Sequence, residues 1–347
     1  MSFFYLNFEV FYLNEGLEIV EEDNVSIARD EATDMIQVCH DNALASVTAD
    51  TEASIETINE LVKCVESSVA VKLENANEEI AFQASVRTKM GALLENYTCA
   101  DEDLPTTTAI ETRTWLHNKR DTYTVNVMHE RSRSKIHLID NFIRPEECEA
   151  MEKEAKPTLH VATVADNDGG SRVSDSRKAM QAGIKVPWSK EKYGNPIAVL
   201  SRRVFDYTNS VTDFELEEFG QEDLMSIQYF GRGVDDESPD QYTPHCDGEC
   251  TGRPHKVGTR VATMVMYCDV PEVGGATNFR NAGIHIVPKA GNAVFFSYMA
   301  DGTMDNGFTE HSGCPVLVGE KKIVTQWMRK GVDKYNTWDQ WNTCEYP

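Results

Sequence analysis

His245 and Asp247 stand two positions apart in the stretch Tyr242-Thr-Pro-His245-Cys-Asp247. On a strand, side chains at this spacing leave the same face, so an imidazole and a carboxylate can grip one metal ion together. His-x-Asp alone is common by accident, and a lone histidine is more often a hydrogen-bonded structural residue. A second segment strengthens the metal reading. It runs His311-Ser-Gly-Cys-Pro-Val-Leu-Val-Gly-Glu-Lys321, with Thr309 and Glu310 just ahead. Two histidines and one carboxylate on one face of a metal leave the opposite face open for a chelating cosubstrate and O2, the arrangement that non-haem Fe(II) chemistry uses. Gly319-Glu320 suits a tight turn, so a hairpin is expected with His311 and Lys321 on adjacent strands inside one barrel. A lysine facing inward is costly unless paired. A keto-acid cosubstrate with a second carboxylate would supply that partner, with Lys321 acting as a point charge. The alternative is that Lys321 and Lys322 are surface turn lysines. For Lys322 that is the preferred reading.

The elements that must position these residues follow from periodicity. Beyond residue 223 the texture is one of short strands punctuated by turn signals, with candidates at 224–230, 241–246, 260–268, 276–280, 284–287, 292–298, 308–312 and 322–329. Strands this short and frequent predict a sandwich or barrel. Ahead of them, residues 136–142 read as a strand. Pro145 suits the first turn of a helix whose acidic start matches its positive end, and 195–209 predicts another helix. Residues 99–135, with Pro105, a Thr run and mixed charge, read as a linker. In residues 51–80 apolar side chains recur at Ile55, Ile58, Leu61, Val62, Val65 and Val69, which predicts an amphipathic helix or helical hairpin. Packing or self-association is the expected role of those N-terminal helices. The fold class is therefore α+β: a jelly-roll barrel with buttressing helices behind a helical N-terminal region. The expected division is 1–130, 131–333 for the catalytic domain, and 334–347 as a tail.

Composition bounds the partners. The 347-residue chain is 41% hydrophobic and carries a formal net charge of -24. Nucleic-acid affinity is mostly phosphate neutralisation by Lys and Arg, so nucleic acid is not an expected partner. No apolar run has the length of a membrane span. The start, MSFFYLNFEVFYL, contains Asn7 and Glu9 and lacks a basic region or a small-residue cleavage site, which makes it a poor signal peptide. The nine cysteines include no Cys-x-x-Cys pair, so zinc ribbons and thioredoxin-like motifs are not indicated. Sequons stand at Asn24 and Asn96.

Several motifs occur in order: Asn141-Phe142; IQYFGRG around Tyr229; Tyr242 to Asp247; Arg260-Val-Ala-Thr263; Gly274-Gly-Ala-Thr277-Asn-Phe279; Pro288 to Phe296; and His311 to Lys321. Together they resemble the catalytic domain of prolyl 4-hydroxylase alpha subunits and their plant and algal relatives, over about residues 131–333. The resemblance implies a double-stranded β-helix, with His245, Asp247 and His311 binding Fe(II). It implies that Lys321, with Tyr229 and Thr277, holds the far carboxylate of 2-oxoglutarate. It implies that Tyr242, Arg260 and Trp327 line the groove for a proline-containing peptide. Core packing stays open for Trp327, and a structural ion pair for Arg260. The implied reaction is hydroxylation of peptidyl proline, coupled to conversion of 2-oxoglutarate and O2 to succinate, with L-ascorbate as supporting reductant and the endoplasmic reticulum or secretory pathway as compartment.

The sequence departs from the family pattern at Cys246, where an aromatic residue is usual, and at Lys322, where Trp is usual. The loop 171–183 matches a substrate-covering region only loosely, around Arg177. The resemblance also raises a Cys314–Cys344 disulfide, with two free thiols as the open alternative. The same chemistry on another side chain or a small molecule stays open, as does a non-catalytic interaction domain. Loss of a metal ligand or of the lysine would mark the last, and none is lost.

Overall fold

The computed structural model describes residues 21–45, 55–72, 74, 99, 104–165 and 171–341. Chain contacts divide it into two units, 1–81 and 82–347. In the first, a helix Glu21–Leu44 and helical residues 55–72 are tied by a Cys39–Cys64 disulfide. Leu61, Cys64 and Val65 are half-buried, whereas Ile55, Ile58, Val62 and Val69 of the apolar stripe are exposed.

The second unit is built on a nine-stranded, wholly antiparallel sheet. Its order is Glu111–His117, Asp121–Glu130, Lys135–Ile139, Ala293–Ser297, Arg260–Asp269, Glu320–Arg329, Leu224–Phe230, Met180–Ile184 and His160–Val161. A smaller antiparallel sheet runs Ile284–Ile286, Thr277–Phe279, His311–Val318, Asp240–His245 and Arg177–Lys178, with Val273–Gly274 paired to His311–Val318. From residue 224 onward the chain passes repeatedly between the two sheets.

The expected linker at 99–135 is not one. Its second half forms the hairpin Glu111–His117/Asp121–Glu130. Asn118 and Lys119 turn the chain with positive φ, and the Arg120 N–H donates to His117 O at 3.0 Å. That turn geometry matches the right-handed twist of the flanking strands. Tyr123, Val125 and Val127 alternate along the second strand and are buried, so this strand belongs to the core. The hairpin expected between His311 and Lys321 is also different. His311–Val318 pairs within the small sheet and Glu320–Arg329 within the large one. Gly319, at φ 88°, is the corner between them.

Two helices buttress the large sheet. Pro145–Ala155 opens with proline at N1 and Glu147 closing a capping box on Arg144. Pro196–Val211 is capped by Asn195, whose side chain accepts from the Ala198 N–H at 3.2 Å. The buried Arg203 joins the two helices through Glu147 at 2.6 and 2.9 Å. Cys148–Cys268 ties the first helix to the Arg260–Asp269 strand, which is buried along almost its whole length because it lies at the middle of the sheet.

Candidate active site

The small sheet sets the two imidazoles side by side. His245 and His311 are direct cross-strand partners, with ring centroids 4.3 Å apart. Asp247 lies just past the end of its strand. Its Oδ1 is 3.5 Å from His245 Nε2 and its Oδ2 is 3.8 Å from His311 Nε2. One ligand atom from each of the three falls within 4.8 Å of the others. Each histidine uses its other nitrogen in the same way. His245 Nδ1 donates to Thr243 O at 2.8 Å, and His311 Nδ1 donates to Thr309 O at 3.1 Å. A carbonyl can only accept, so the proton sits on Nδ1 and the Nε2 lone pair is free to ligate. Thr263 Oγ1 donates to Asp247 Oδ2 at 2.8 Å and orients the carboxylate.

The charge states suit a metal. Burial disfavours the ionised Asp247 carboxylate, but protonation of either neighbouring imidazole and the Arg260 guanidinium favour it, and the group is held well below the usual range. Burial, with His245 beside it, lowers His311 to about 4, so this imidazole is neutral at physiological pH.

Across the interior, Lys321 is 2% exposed. Burial lowers its ammonium to about 7. Among the described residues no carboxylate and no hydrogen-bond acceptor is paired with it. Its Nζ lies 5.7 Å from the ring centres of both Tyr229 and Tyr267. Tyr229 is its cross-strand partner, and both point inward. The Tyr267 hydroxyl and Thr277 Oγ1 are 2.7 Å apart. Gly313, opposite Thr277 in register, leaves a gap beside the Tyr229 hydroxyl: a Cβ there would stand 3.7 Å from that oxygen and 3.7 Å from Tyr242 Cβ. The residues therefore fit a metal at the triad and a carboxylate near Lys321.

Around the mouth, Tyr242 stacks on His245 with centroids 3.4 Å apart, and the Arg177 guanidinium lies 4.9 Å from the Tyr242 ring centre. Arg177 donates from Nη1 to Thr163 O at 3.0 Å, while its Nε and Nη2 are buried with no partner. Arg260 is gripped by Glu222 at 2.6 and 2.5 Å, donates from Nη1 to Asp247 O at 3.2 Å, and lies 4.1 Å from the Trp327 ring centre. The indole Nε1 of Trp327 is buried and unpartnered.

Residues 232–329 match the family model for the 2OG-Fe(II) oxygenase superfamily. Probable prolyl 4-hydroxylase 3 of Arabidopsis thaliana is 31% identical over 212 residues, covering 55% of this chain and 68% of the plant protein. The chain belongs to the prolyl 4-hydroxylase family of 2OG-Fe(II) oxygenases. Prolyl 4-hydroxylase subunit alpha-1 of Gallus gallus is 31% identical over 198 residues, but the alignment spans only 34% of that subunit. The crystal structure of viral collagen prolyl hydroxylase from Paramecium Bursaria Chlorella virus-1, in its 2OG complex, superposes with a TM-score of 0.44 at 26% identity, over 56% of this chain and 96% of that one.

Membership makes this a 2-oxoglutarate-dependent dioxygenase, and the family implies Fe(II), 2-oxoglutarate and O2. Of the residues named from sequence, His245, Asp247 and His311 converge, Tyr242 stacks on His245, Lys321 lies beside Tyr229, Thr277 hydrogen-bonds Tyr267, and Arg260 lies over Trp327. For Arg260 the ion-pair alternative is the one observed, because its guanidinium is committed to Glu222 and to the backbone of Asp247. Lys322, at the position after the buried lysine, faces the surface and pairs with Asp269 at 2.9 Å and Glu152 at 3.2 Å. Three contributors to this candidate site were given no role from sequence: Thr263, which only closed the Arg260–Thr263 motif, Glu222 and Tyr267. Thr263 and Tyr267 share a strand face by the same period-two rule that joined His245 to Asp247, so alternation from Arg260–Asp269 was the available signal. Glu222 precedes its strand, and nothing local marks it.

The cysteine pairing corrects one expectation. Cys314 is bonded to Cys99, not to Cys344, which lies outside the described residues. Cys246 is bonded to Cys250.

Proposed function

We propose that this dioxygenase hydroxylates proline in a peptide or protein, with 2-oxoglutarate as cosubstrate. The observation that carries the cosubstrate is Lys321, a buried ammonium without a counter-ion, across the interior from three convergent ligands. A second carboxylate would give that side chain its counter-ion. In this reading the two sheets form a double-stranded β-helix. His245, Asp247 and His311 hold Fe(II), and Lys321 anchors the far carboxylate, with Tyr229 and Thr277 as hydroxyl donors. When bound, the metal and cosubstrate supply the O2 chemistry: decarboxylation to succinate and CO2, coupled to hydroxylation of a C–H bond. The chain supplies position and dryness. The two Nδ1–carbonyl bonds and Thr263 fix the ligands, and the buried Phe279 and Phe296 rings wall the His311 side at 5.4 and 4.7 Å.

Proline as the target rests on the relatives named above. Support for a peptide comes from Arg177 and Trp327, whose buried N–H groups have no partner in the structure and are of the kind a peptide carbonyl satisfies. Arg260 acts here by positioning Asp247 and Trp327. An oxidising compartment of the secretory pathway is supported by four disulfides among the described residues. No described helix is long and apolar enough to cross a membrane.

The test is succinate formation with Fe(II), ascorbate and a panel of proline-rich peptides, read together with mass spectrometry of the peptides. Proline gains one oxygen, and His311→Ala abolishes both signals. An unaffected rate in that variant rejects the site. Oxygen appearing on another residue type rejects the substrate but keeps the chemistry.

A further inference from the structure

Asp247 is the ligand that lies outside the strand ladders, tied to the large sheet through the side chains of Thr263 and Arg260. The Asp240–His245 strand ends one residue before Cys246, and residues 246–253 are irregular. A ligand beyond the last ladder bond needs another anchor, since metal affinity depends on ligands held in place before the ion arrives. The Cys246–Cys250 disulfide supplies one. It closes a loop around Asp247, Gly248 and Glu249, with the bond starting at the residue between the two ligands.

The chain just beyond that loop is clamped to the other ligand arm. Gly252 N–H donates to Asp305 O at 2.8 Å, Met304 N–H to Arg253 O at 2.8 Å, and His255 N–H to Gly302 O at 2.7 Å. Asp305 in turn accepts from the Thr309 backbone N–H at 2.7 Å and from Thr309 Oγ1 at 2.8 Å. The Thr309 carbonyl is the acceptor that fixes the His311 ring. The inner side of the loop has no slack, because a Cβ on Gly248 would meet the Tyr298 ring at 2.5 Å. Its outer side is open: Cys246 and Cys250 are each only half-buried, within reach of a thiol reductant.

We infer that the Cys246–Cys250 disulfide is a positioning element of the metal site, and that opening it weakens metal binding by releasing Asp247 from the loop that couples both ligand arms. This rests on the metal-site reading above. Opening the bond adds two electrons and two protons, one proton to each sulfur. Two glutathione thiols give them up and leave as one glutathione disulfide. The oxygenase thereby carries a thiol-responsive control of its metal occupancy.

The experiment uses the full chain and Mn(II), a hard ion that stands in for Fe(II) and has little affinity for thiols. Free Mn(II) is counted by electron paramagnetic resonance. Cys246→Ser/Cys250→Ser is expected to raise the Mn(II) Kd about tenfold or more. Cys148→Ser/Cys268→Ser, which opens a disulfide away from the ligands, is expected to leave that Kd within about twofold while lowering Tm. An unchanged or tighter Kd in the first variant overturns the inference. If that variant does not fold, the wild-type protein is titrated with glutathione redox buffers, and the bond is followed by alkylation and peptide mass. Linkage is reciprocal. A tenfold affinity difference therefore makes the bond harder to reduce by about 30 mV when Mn(II) is saturating. No shift overturns the inference. Failure of the unaltered protein to bind Mn(II) in a His311-dependent manner overturns the metal-site reading itself, which separates the two failures.

Discussion

Replacing Lys321 by Met should stabilise the cosubstrate-free protein while destroying its ability to bind the cosubstrate. Met keeps most of the aliphatic stem and removes the charge. Burial lowers the Lys321 ammonium from 10.5 to about 7, a difference worth about 5 kcal/mol between the charged and neutral forms. The sign follows from linkage. The group is protonated in the unfolded chain below 10.5, so folding must either bury the charge or strip the proton. The cost is full below about pH 7, falls as pH rises, and vanishes above 10.5. Near pH 7.5 it is about 4 kcal/mol before relaxation, so a gain of about 2–4 kcal/mol is expected for Lys321→Met. All five tryptophans lie in the 82–347 unit, so denaturant unfolding followed by their fluorescence reads this unit directly. The midpoint difference between variant and wild type should shrink steadily from pH 7 to pH 10. In the same variant 2-oxoglutarate affinity should fall by about 3 kcal/mol or more, roughly 150-fold, as for a buried charge pair that loses one partner. A variant no more stable than wild type, or a gap that ignores pH, would refute the reasoning, because it would mean that the ammonium already has a counter-ion.

Three further outcomes are expected. Binding of 2-oxoglutarate to the metal-loaded protein should take up about 0.8 proton at pH 7.5 and markedly less at pH 6, because Lys321 must be charged in the complex; calorimetry in buffers of different ionisation enthalpy measures this. Thr263→Val removes the donor to Asp247 Oδ2 and should weaken Mn(II) binding about tenfold with little change in Tm, read by metal titration and thermal unfolding. Glu147→Gln strands Arg203, which is 1% exposed, and should cost about 3–5 kcal/mol in denaturant unfolding while the folded fraction keeps its metal affinity.

The convergence of the candidate ligands was more legible than the strands around them, for a physical reason. His245, Asp247, His311 and Lys321 are residue types whose burial demands a partner, so their spacing carries information by itself. The neighbouring strands carry less. Gly313 and Pro315 interrupt His311–Val318, and because both read as breakers the strand was expected only as far as residue 312. The hairpin at 111–130 was hidden by Thr and charged residues, which fit an edge strand as well as they fit a linker. Its one clear mark, the alternation of Tyr123, Val125 and Val127, is short. The corner at Gly319 could not be told from a hairpin, since a glycine with positive φ serves both and only the partners of each strand decide. Disulfides were the least legible. Cys99–Cys314 and Cys148–Cys268 join positions 215 and 120 residues apart, and nothing in the spacing of cysteines encodes a pairing of that range.

The buried charges of the site make a single electrostatic argument. One enclosure pushes three groups in different directions. It keeps His311 neutral and leaves the Lys321 amine titrating near pH 7, yet Asp247 stays ionised, with the Arg260 charge nearby and the Thr263 hydroxyl donating to its Oδ2. With a divalent metal on the triad and a proton on Lys321, the interior would carry the metal's two positive charges, one negative from Asp247 and one positive from the lysine, an excess of two. Buried excess charge of that size is not tolerated in a low-dielectric cavity. In the proposed reading, a dianion held between the triad's metal and Lys321 would cancel it, whereas a monoanion or a neutral keto compound would not. Selectivity for a dicarboxylate would then need no crowd of hydrogen bonds. It would follow from Lys321 having no partner among the described residues, with its proton taken up as the ligand binds.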